Sequence, residues 1–289
     1  MKYNFIYENR SFFRLGKMCQ TLEVSRSGYH NYIKRRLSQR HLENIRILEE
    51  IKRIYEKNKG RYGSPRINSE LKAKGLRYNK KRIARLMRIN SIRAKTKKKF
   101  KMTTDSNHGL SVAENLLKQN FQAEAVNKVW VSDITYISTM EGWLYLAVIL
   151  DLNSRKIVGW SMNESMSKDL ILAVLQKALI NRKPDKGLIF HSDRGRQYAS
   201  EQVKQLLLKN AVVQSMSRKG NPYDNAVVES FFHTLKTELV NFEKYKTRAE
   251  ARLSIFEYIE IYYNRQRRHS ALSYFSPVEF ENRKINLVA

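Results

Sequence analysis

Asp193 and Glu229, with 35 residues between them, frame the stretch from His191 to Lys236, which reads HSDRGRQY at one end and GNPYDNAVVESFFHTLK at the other. Asp193 stands where the apolar run Leu188 to Ser192 gives way to Arg194 and Gly195, the pattern of a buried strand ending in a turn. Glu229 falls just inside an expected helix. Gly220, Asn221 and Pro222 interrupt regular structure before it, and Asp224 or Asn225 is expected to cap its first turn. A third acid, Asp133, interrupts the β-forming run VWVSDITY on the same alternating face as Val129 and Val131, although Asp is disfavoured inside strands. Hard oxygen ligands without a soft neighbour favour Mg²⁺ or Mn²⁺ over zinc. Two such ions about 3.5–4 Å apart can activate an attacking oxygen and stabilise a leaving one at a phosphodiester. Asp133 is expected to bridge both ions, with Asp193 completing one shell and Glu229 the other. The helix start favours the ionised, ligating form of Glu229. His233 and Lys236 lie four and seven residues past Glu229, on the same side of the helix. A lysine there could clamp a substrate phosphate, whereas His233 reads as an ordinary surface residue. Singly, such acids are commonplace at strand ends and helix starts; the three gain weight as a set.

The elements that must position these acids follow from periodicity. Val129–Ile137, Trp143–Leu152 and Lys156–Met162 read as strands joined by hairpin-like turns. A helix over Lys168–Ile180 follows, then strand Leu188–Ser192, helix Ser200–Leu208, strand Val212–Met216 and the Glu229 helix. The order β-β-β-α-β-α-β-α is an α/β layer architecture that begins with an antiparallel meander. Phe231, Phe232 and Leu235 belong to its core. Downstream, Thr247 to about Tyr263 reads as amphipathic helix, followed by Tyr263-Asn264-Arg265-Gln266-Arg267-Arg268-His269, where Arg267 is an expected DNA contact.

Upstream of the strands the patterning is helical. Leu22 to Tyr29 with Tyr32 and Ile33 suggests a helix, a turn and another helix. Leu42, Ile45, Leu48 and Ile51 recur at helical spacing between His41 and Asn58. Ser64 and Pro65 can start a helix that stops at Gly75, and Asn79 can cap a second over Lys80–Arg88. Ile83, Leu86 and Met87 would face inward, leaving Lys81, Arg82, Arg85 and Arg88 outward: a helix-turn-helix candidate with a basic second helix. The run RAKTKKKFK, with Lys97, Lys98 and Lys99, reads as a backbone-binding linker, and Val112 to Leu117 as a brief helix. The expected division is a helical region over 1–58, a helix-turn-helix segment over 59–92, a basic linker over 93–120, a catalytic core over 121–240 and a helical extension over 241–289.

Charge names the partner class. Across 289 residues, 55 Lys and Arg face 27 Asp and Glu, a formal net charge of +28. Such a surplus points to a polyanion, most often nucleic acid. The one cysteine, Cys19, cannot form an intramolecular disulfide, which fits a reducing cytosol. The longest apolar run, Trp143 to Leu150, falls far short of the roughly 20 residues that span a bilayer. The start, MKYNFIYENRSFF, lacks the pattern of a signal peptide. No membrane partner and a cytoplasmic, nucleoid-associated location are expected.

WVSDITYI, HSDRGRQY, SRKGNPYDNAVVESFFHTLK and YNRQRRHSALSYFSPVEF resemble the integrase-core transposases of bacterial insertion sequences, and more narrowly the second-frame product of the insertion-sequence-three family. SRSGYH, RYGSPRI and NKKRIARLM match the family's helical region ahead of the core. The resemblance implies an RNase-H-like catalytic domain behind a helix-turn-helix-type region, with Asp133, Asp193 and Glu229 as ligands of two Mg²⁺ or Mn²⁺ ions. It implies cleavage of double-stranded DNA to release a 3′-hydroxyl, and attack of that hydroxyl on a second phosphodiester. It also implies a homo-oligomer on DNA and an upstream-frame product, fused or associated, since the family usually encodes a further DNA-reading module and a zipper there. The His₂Cys₂ zinc module of retroviral integrases is excluded by the single cysteine. Rival readings are an RNase-H-like nuclease that does not join, a non-catalytic DNA-binding regulator, and a tyrosine recombinase built on His191, Arg194 and Tyr223.

Overall fold

Alternation decides the central strand. In Val129–Thr139 (β1), Trp130 and Ile134 turn to one face of the sheet and join its apolar core, while Val131 and Asp133 alternate to the other. A computed structural model describes residues 1–34, 38–95, 112–218 and 222–288. Its sheet has five strands in the order β3-β2-β1-β4-β5, where β2 is Gly142–Asp151, β3 Ile157–Asn163, β4 Ile189–Ser192 and β5 Val213–Met216. The first three form an antiparallel meander, and β1, β4 and β5 run parallel. This is the mixed α/β sheet that the sequence predicts.

The helices are α1 (Lys2–Glu8), α2 (Leu15–Thr21), α3 (Arg26–Lys34), α4 (Gln39–Lys57), α5 (Ser64–Ala73), α6 (Lys80–Ile89), α7 (Lys168–Arg182), α8 (Glu201–Lys209), α9 (Ala226–Glu238), α10 (Arg248–Phe256) and α11 (Pro277–Val288). Leu170, Ile171, Val174, Leu175 and Ala178 of α7, with Val203 and Leu207 of α8, bury Trp130, Ala147, Ile149 and Phe190 on one face of the sheet. Close packing demands Gly159 on β3: a Cβ there would lie 2.9 Å from both the Val174 carbonyl oxygen and the Ala178 methyl. Burial of these apolar side chains contributes roughly 1.5–3 kcal/mol each and fixes the register.

The chain divides into two compact units. One comprises Met1–Gly60 and Glu70–Arg93; the other comprises Arg61–Ser69 and Ala94–Ala289 and contains the sheet. In the first, α6 starts where the sequence places a cap, the Asn79 amide oxygen accepting from Lys81 N–H, and α4 is capped by the Ser38 hydroxyl, which accepts from His41 N–H. Ile83, Leu86 and Met87 are buried as expected.

Two expected elements differ. Val112 to Leu117 forms no helix, because its backbone bonds outward: Leu116 N–H donates to the Ser215 hydroxyl, and Met216 N–H donates to the Glu114 carbonyl. Downstream, α10 opens with a capping box between Thr247 and Glu250 but gives way to a π-helix over Glu257–Tyr263. A hydrophobic stripe looks similar at either pitch over two turns. The wider turn, with Asn264 N–H bonded to the Ile259 carbonyl, is fixed by packing the rings of Tyr258, Tyr262 and Tyr263 inward.

Candidate active site

Parallel pairing brings the strands of two of the acids side by side. Val131 on β1 is in register with His191 on β4, where the paired stretch ends; Asp133 lies two residues beyond it on β1, and Asp193 just past the end of β4. Adjacent strands lie about 4.8 Å apart. Asp133 Oδ1 accepts from Ile134 N–H at 2.8 Å, and Asp193 Oδ1 from Gly195 N–H at 2.9 Å, which orients each carboxylate from its own backbone. Glu229 sits one turn into α9, which packs on β1. The helix start is tied to the strand by the Asn225 amide, which donates to the Ser132 carbonyl, beside Asp133, at 3.2 Å.

The expected capping differs. Neither Asp224 nor Asn225 caps α9 with its side chain. Asn225 is spent on Ser132. Asp224 is fully buried and accepts from Arg218, Asn115 and Gln119. The Arg218 side-chain bonds hold its pKa far below the usual carboxylate range against the opposing effect of burial.

Electrostatics show that the three acids share one environment. Desolvation, then the charge of Asp193, and further the charge of Glu229, push Asp133 well above the ordinary carboxylate pKa; the Ile134 N–H and the Lys236 ammonium oppose this. Desolvation and then Asp193 raise Glu229. Among the described residues no three His, Cys, Asp or Glu side chains are gathered as a ready-made metal-binding group. Hard oxygen donors in mutual repulsion, oriented by backbone N–H groups, suit a divalent cation, whose charge would offset that repulsion.

Lys236 lies beside these acids rather than on the surface. It is buried, its Nζ stands 4.8 Å from the centroid of the Tyr136 ring, and burial lowers its pKa to about 8 against the raising effect of Asp133. His233 is exposed. Beneath the site, Ser132 and Tyr198 share a hydrogen bond of 2.9 Å, and burial with the charges of Asp133 and Asp193 raises the Tyr198 phenol well above its usual pKa. His191 is wholly buried between the Ser215 and Ser217 hydroxyls, at 2.8 and 3.2 Å, with its pKa lowered by burial to about 4. A core histidine of this kind does not serve the recombinase reading as a general base.

The remaining expected DNA contacts separate. Lys81, Arg85 and Arg88 are exposed on α6. Arg82 is not: it is half-buried and held by Glu43 at 2.8 Å and Asn44 at 2.8 Å, a structural role. Arg267 is a clearer correction. It is 4% exposed and grips both oxygens of Glu238, with its Nη2 2.7 Å from Oε1. Glu238 also accepts from Arg66 at 3.2 Å and from the Tyr258 hydroxyl at 2.8 Å. Lys97, Lys98, Lys99, Gly220 and Asn221 lie outside the described residues. Of the side chains that build the site, Tyr198 and Tyr136 were not singled out in the sequence, and Asn225 was expected only as a cap; no spacing rule links them to the acids, because their bonds cross distant segments.

Comparison with known proteins bears on what such a site belongs to. Residues 123–222 and 229–285 each match a family model described as integrase core domain, and residues 42–100 match one described as HTH-like domain. The transposase InsF for insertion sequence IS3A of Escherichia coli (strain K12) is 43% identical over 287 residues, 99% of this chain and all of that protein. The insertion element IS600 uncharacterized 31 kDa protein of Shigella sonnei is 45% identical over 272 residues, 94% of this chain and all of that protein. Among solved structures, the catalytic core domain of BIV integrase aligns with a TM-score of 0.41 at 20% identity, covering 56% of this chain and 97% of that chain.

Proposed function

The chain belongs to the IS3 family of transposases, polynucleotidyl transferases with an integrase core, and from that premise we propose that Asp133, Asp193 and Glu229 form its catalytic centre and hold divalent cations, Mg²⁺ or Mn²⁺. What supports this reading is the parallel register that brings the strand of Asp133 beside the strand that ends at Asp193, together with the effect of the charges of Asp193 and Glu229 on Asp133 and of Asp193 on Glu229. When bound, two cations supply the charge that activates an attacking oxygen and stabilises a leaving oxygen at a phosphodiester.

The protein's own groups do the rest. Asn225 ties the start of the Glu229 helix to the strand of Asp133 through its bond to the Ser132 carbonyl. Lys236, with its pKa near 8, can present an ammonium to a phosphate oxygen close to neutral pH. The exposed basic face of α6 and the basic run with Lys97, Lys98 and Lys99 neutralise backbone phosphates of double-stranded DNA without reading sequence. Joining needs two DNA partners in one assembly, so the working form is read as an oligomer on DNA, with an upstream-frame product fused or associated.

The test is a nicking and strand-transfer assay on element-end DNA with Mg²⁺, run on the chain alone and on its upstream-fused form. Glu229→Gln should abolish both steps while DNA binding persists. Cutting without joining would support the nuclease reading; unimpaired strand transfer by the variant would overturn the proposed centre. No described helix is long and apolar enough to cross a membrane.

A further inference from the structure

The three tryptophans differ in their surroundings: Trp130 is fully buried, Trp160 is half-buried with its indole N–H on Glu260, and Trp143 is 50% exposed. Trp143 sits at the tip of the β1–β2 hairpin. The Tyr136 ring meets it edge to face, with centroids 5.0 Å apart, and Lys236 Nζ lies over that same Tyr136 ring. Lys236, which feels the charge of Asp133, thus lies over the same Tyr136 ring that meets the open indole. Trp143 pairs with Ser138, five residues along β1 from Asp133, which is about 16 Å at strand rise.

The tip is firmly mounted. Thr139 Oγ1 donates to the Gly142 carbonyl at 2.7 Å, Met140 N–H to the Tyr245 carbonyl at 3.0 Å, and Arg248 Nε to the Trp143 carbonyl at 3.3 Å. An indole displayed on a fixed hairpin gains little from burial in this chain, yet its ordering cost is already met, which suits a flat partner.

Resting on the reading of the acids above, we propose that Trp143 and Tyr136 form a stacking platform for an exposed nucleobase of the DNA end being processed. The face of a base inside a duplex is covered by its neighbours. Only an unpaired base, or the terminal pair of an end, presents one. Overall charge of +28 and the neighbouring Lys236 bring the phosphate chain here, and the rings take the base.

The experiment uses the full chain without divalent cation and short element-end duplexes carrying 2-aminopurine, either in an unpaired 3′ overhang or in a fully paired terminal position. Wild-type protein should quench the probe in the overhang. Trp143→Ala and Trp143→Leu should weaken overhang binding roughly tenfold, and Trp143→Phe should restore most of it. Binding to an internal, fully paired probe should change less than twofold in all three. Equal quenching of the paired terminal probe would identify the terminal pair as the base presented. Unchanged quenching and affinity in both Trp143→Ala and Trp143→Leu would overturn the platform. Wild-type strand transfer with Mg²⁺, measured in parallel, reports on the acid centre separately: its absence would count against that centre and leave the stacking result standing.

Discussion

Helix α9 carries two glutamates in opposite circumstances. Glu229, near its start, faces other acids and is pushed above the ordinary carboxylate pKa by desolvation and Asp193. Glu238, at its end, is more deeply buried, yet Arg267 and Arg66 overcome the desolvation and hold its pKa below the ordinary value. Arg61 adds a bond from its Nε to the Glu238 carbonyl and lies over the Tyr262 ring at 4.2 Å. The same residue type on one helix thus does two jobs. Where the folded state supplies counter-charge, a buried acid locks segments together; where it withholds counter-charge, the ionised acid stays destabilised.

The largest expected effect lies on the activity side of this contrast. Glu229→Gln should lower strand transfer on the order of a thousandfold, the consequence of losing several kcal/mol of transition-state charge stabilisation. Its stability without metal should hold or rise at neutral pH. Because the folded pKa of Glu229 is raised, its cost to folding appears as pH climbs through the unfolded value and is complete above the folded one. The advantage of Glu229→Gln in urea melts should therefore vanish in acid. A clear loss of stability at pH 7 would show that Glu229 is an anchor like Glu238.

Glu238→Ala should behave in reverse, losing about 3–5 kcal/mol by stranding buried Arg267. The folded pKa of Glu238 is lowered, so its contribution is present above the unfolded value and disappears as pH falls through the folded one. A destabilisation that persists unchanged at pH 3 would break the comparison.

A smaller effect comes from His191. With its folded pKa lowered to about 4, stability should fall as pH drops from 6.5 toward that value, by on the order of 3 kcal/mol. His191→Gln should flatten that stretch of the pH profile, whatever its effect at pH 8. The smallest change is expected on α6. Replacing Lys81, Arg85 or Arg88 singly should weaken DNA binding modestly and reduce the salt slope by about 1, while Arg82 should show a loss of stability first.

Much of the fold was legible in the sequence, because alternation, helical stripes and caps are local. The five strands start and end within a few residues of their predicted bounds, and Asn79 flanks its helix as its residue type suggests. The three acids could be named from residue type and from their place at a strand, a strand end and a helix start. What could not be read was their company. Asn225 looked like a helix cap and instead bonds Ser132, 93 positions away in sequence. Arg267 looked like a phosphate contact because a basic run resembles a surface; its partner, Glu238, lies 29 residues upstream.

The sequence by itself determined a basic, DNA-directed chain with a mixed α/β sheet and three acids, one within a strand, one at a strand end and one at a helix start. Those properties depend on composition and on periods of two and 3.6 residues, both carried by neighbours along the chain. Only the tertiary structure decided which charges are paired and which are left to repel. Coulomb energy and desolvation depend on distances between segments far apart in sequence, and so does the difference between acids left to repel one another and the acid that holds the helix in place.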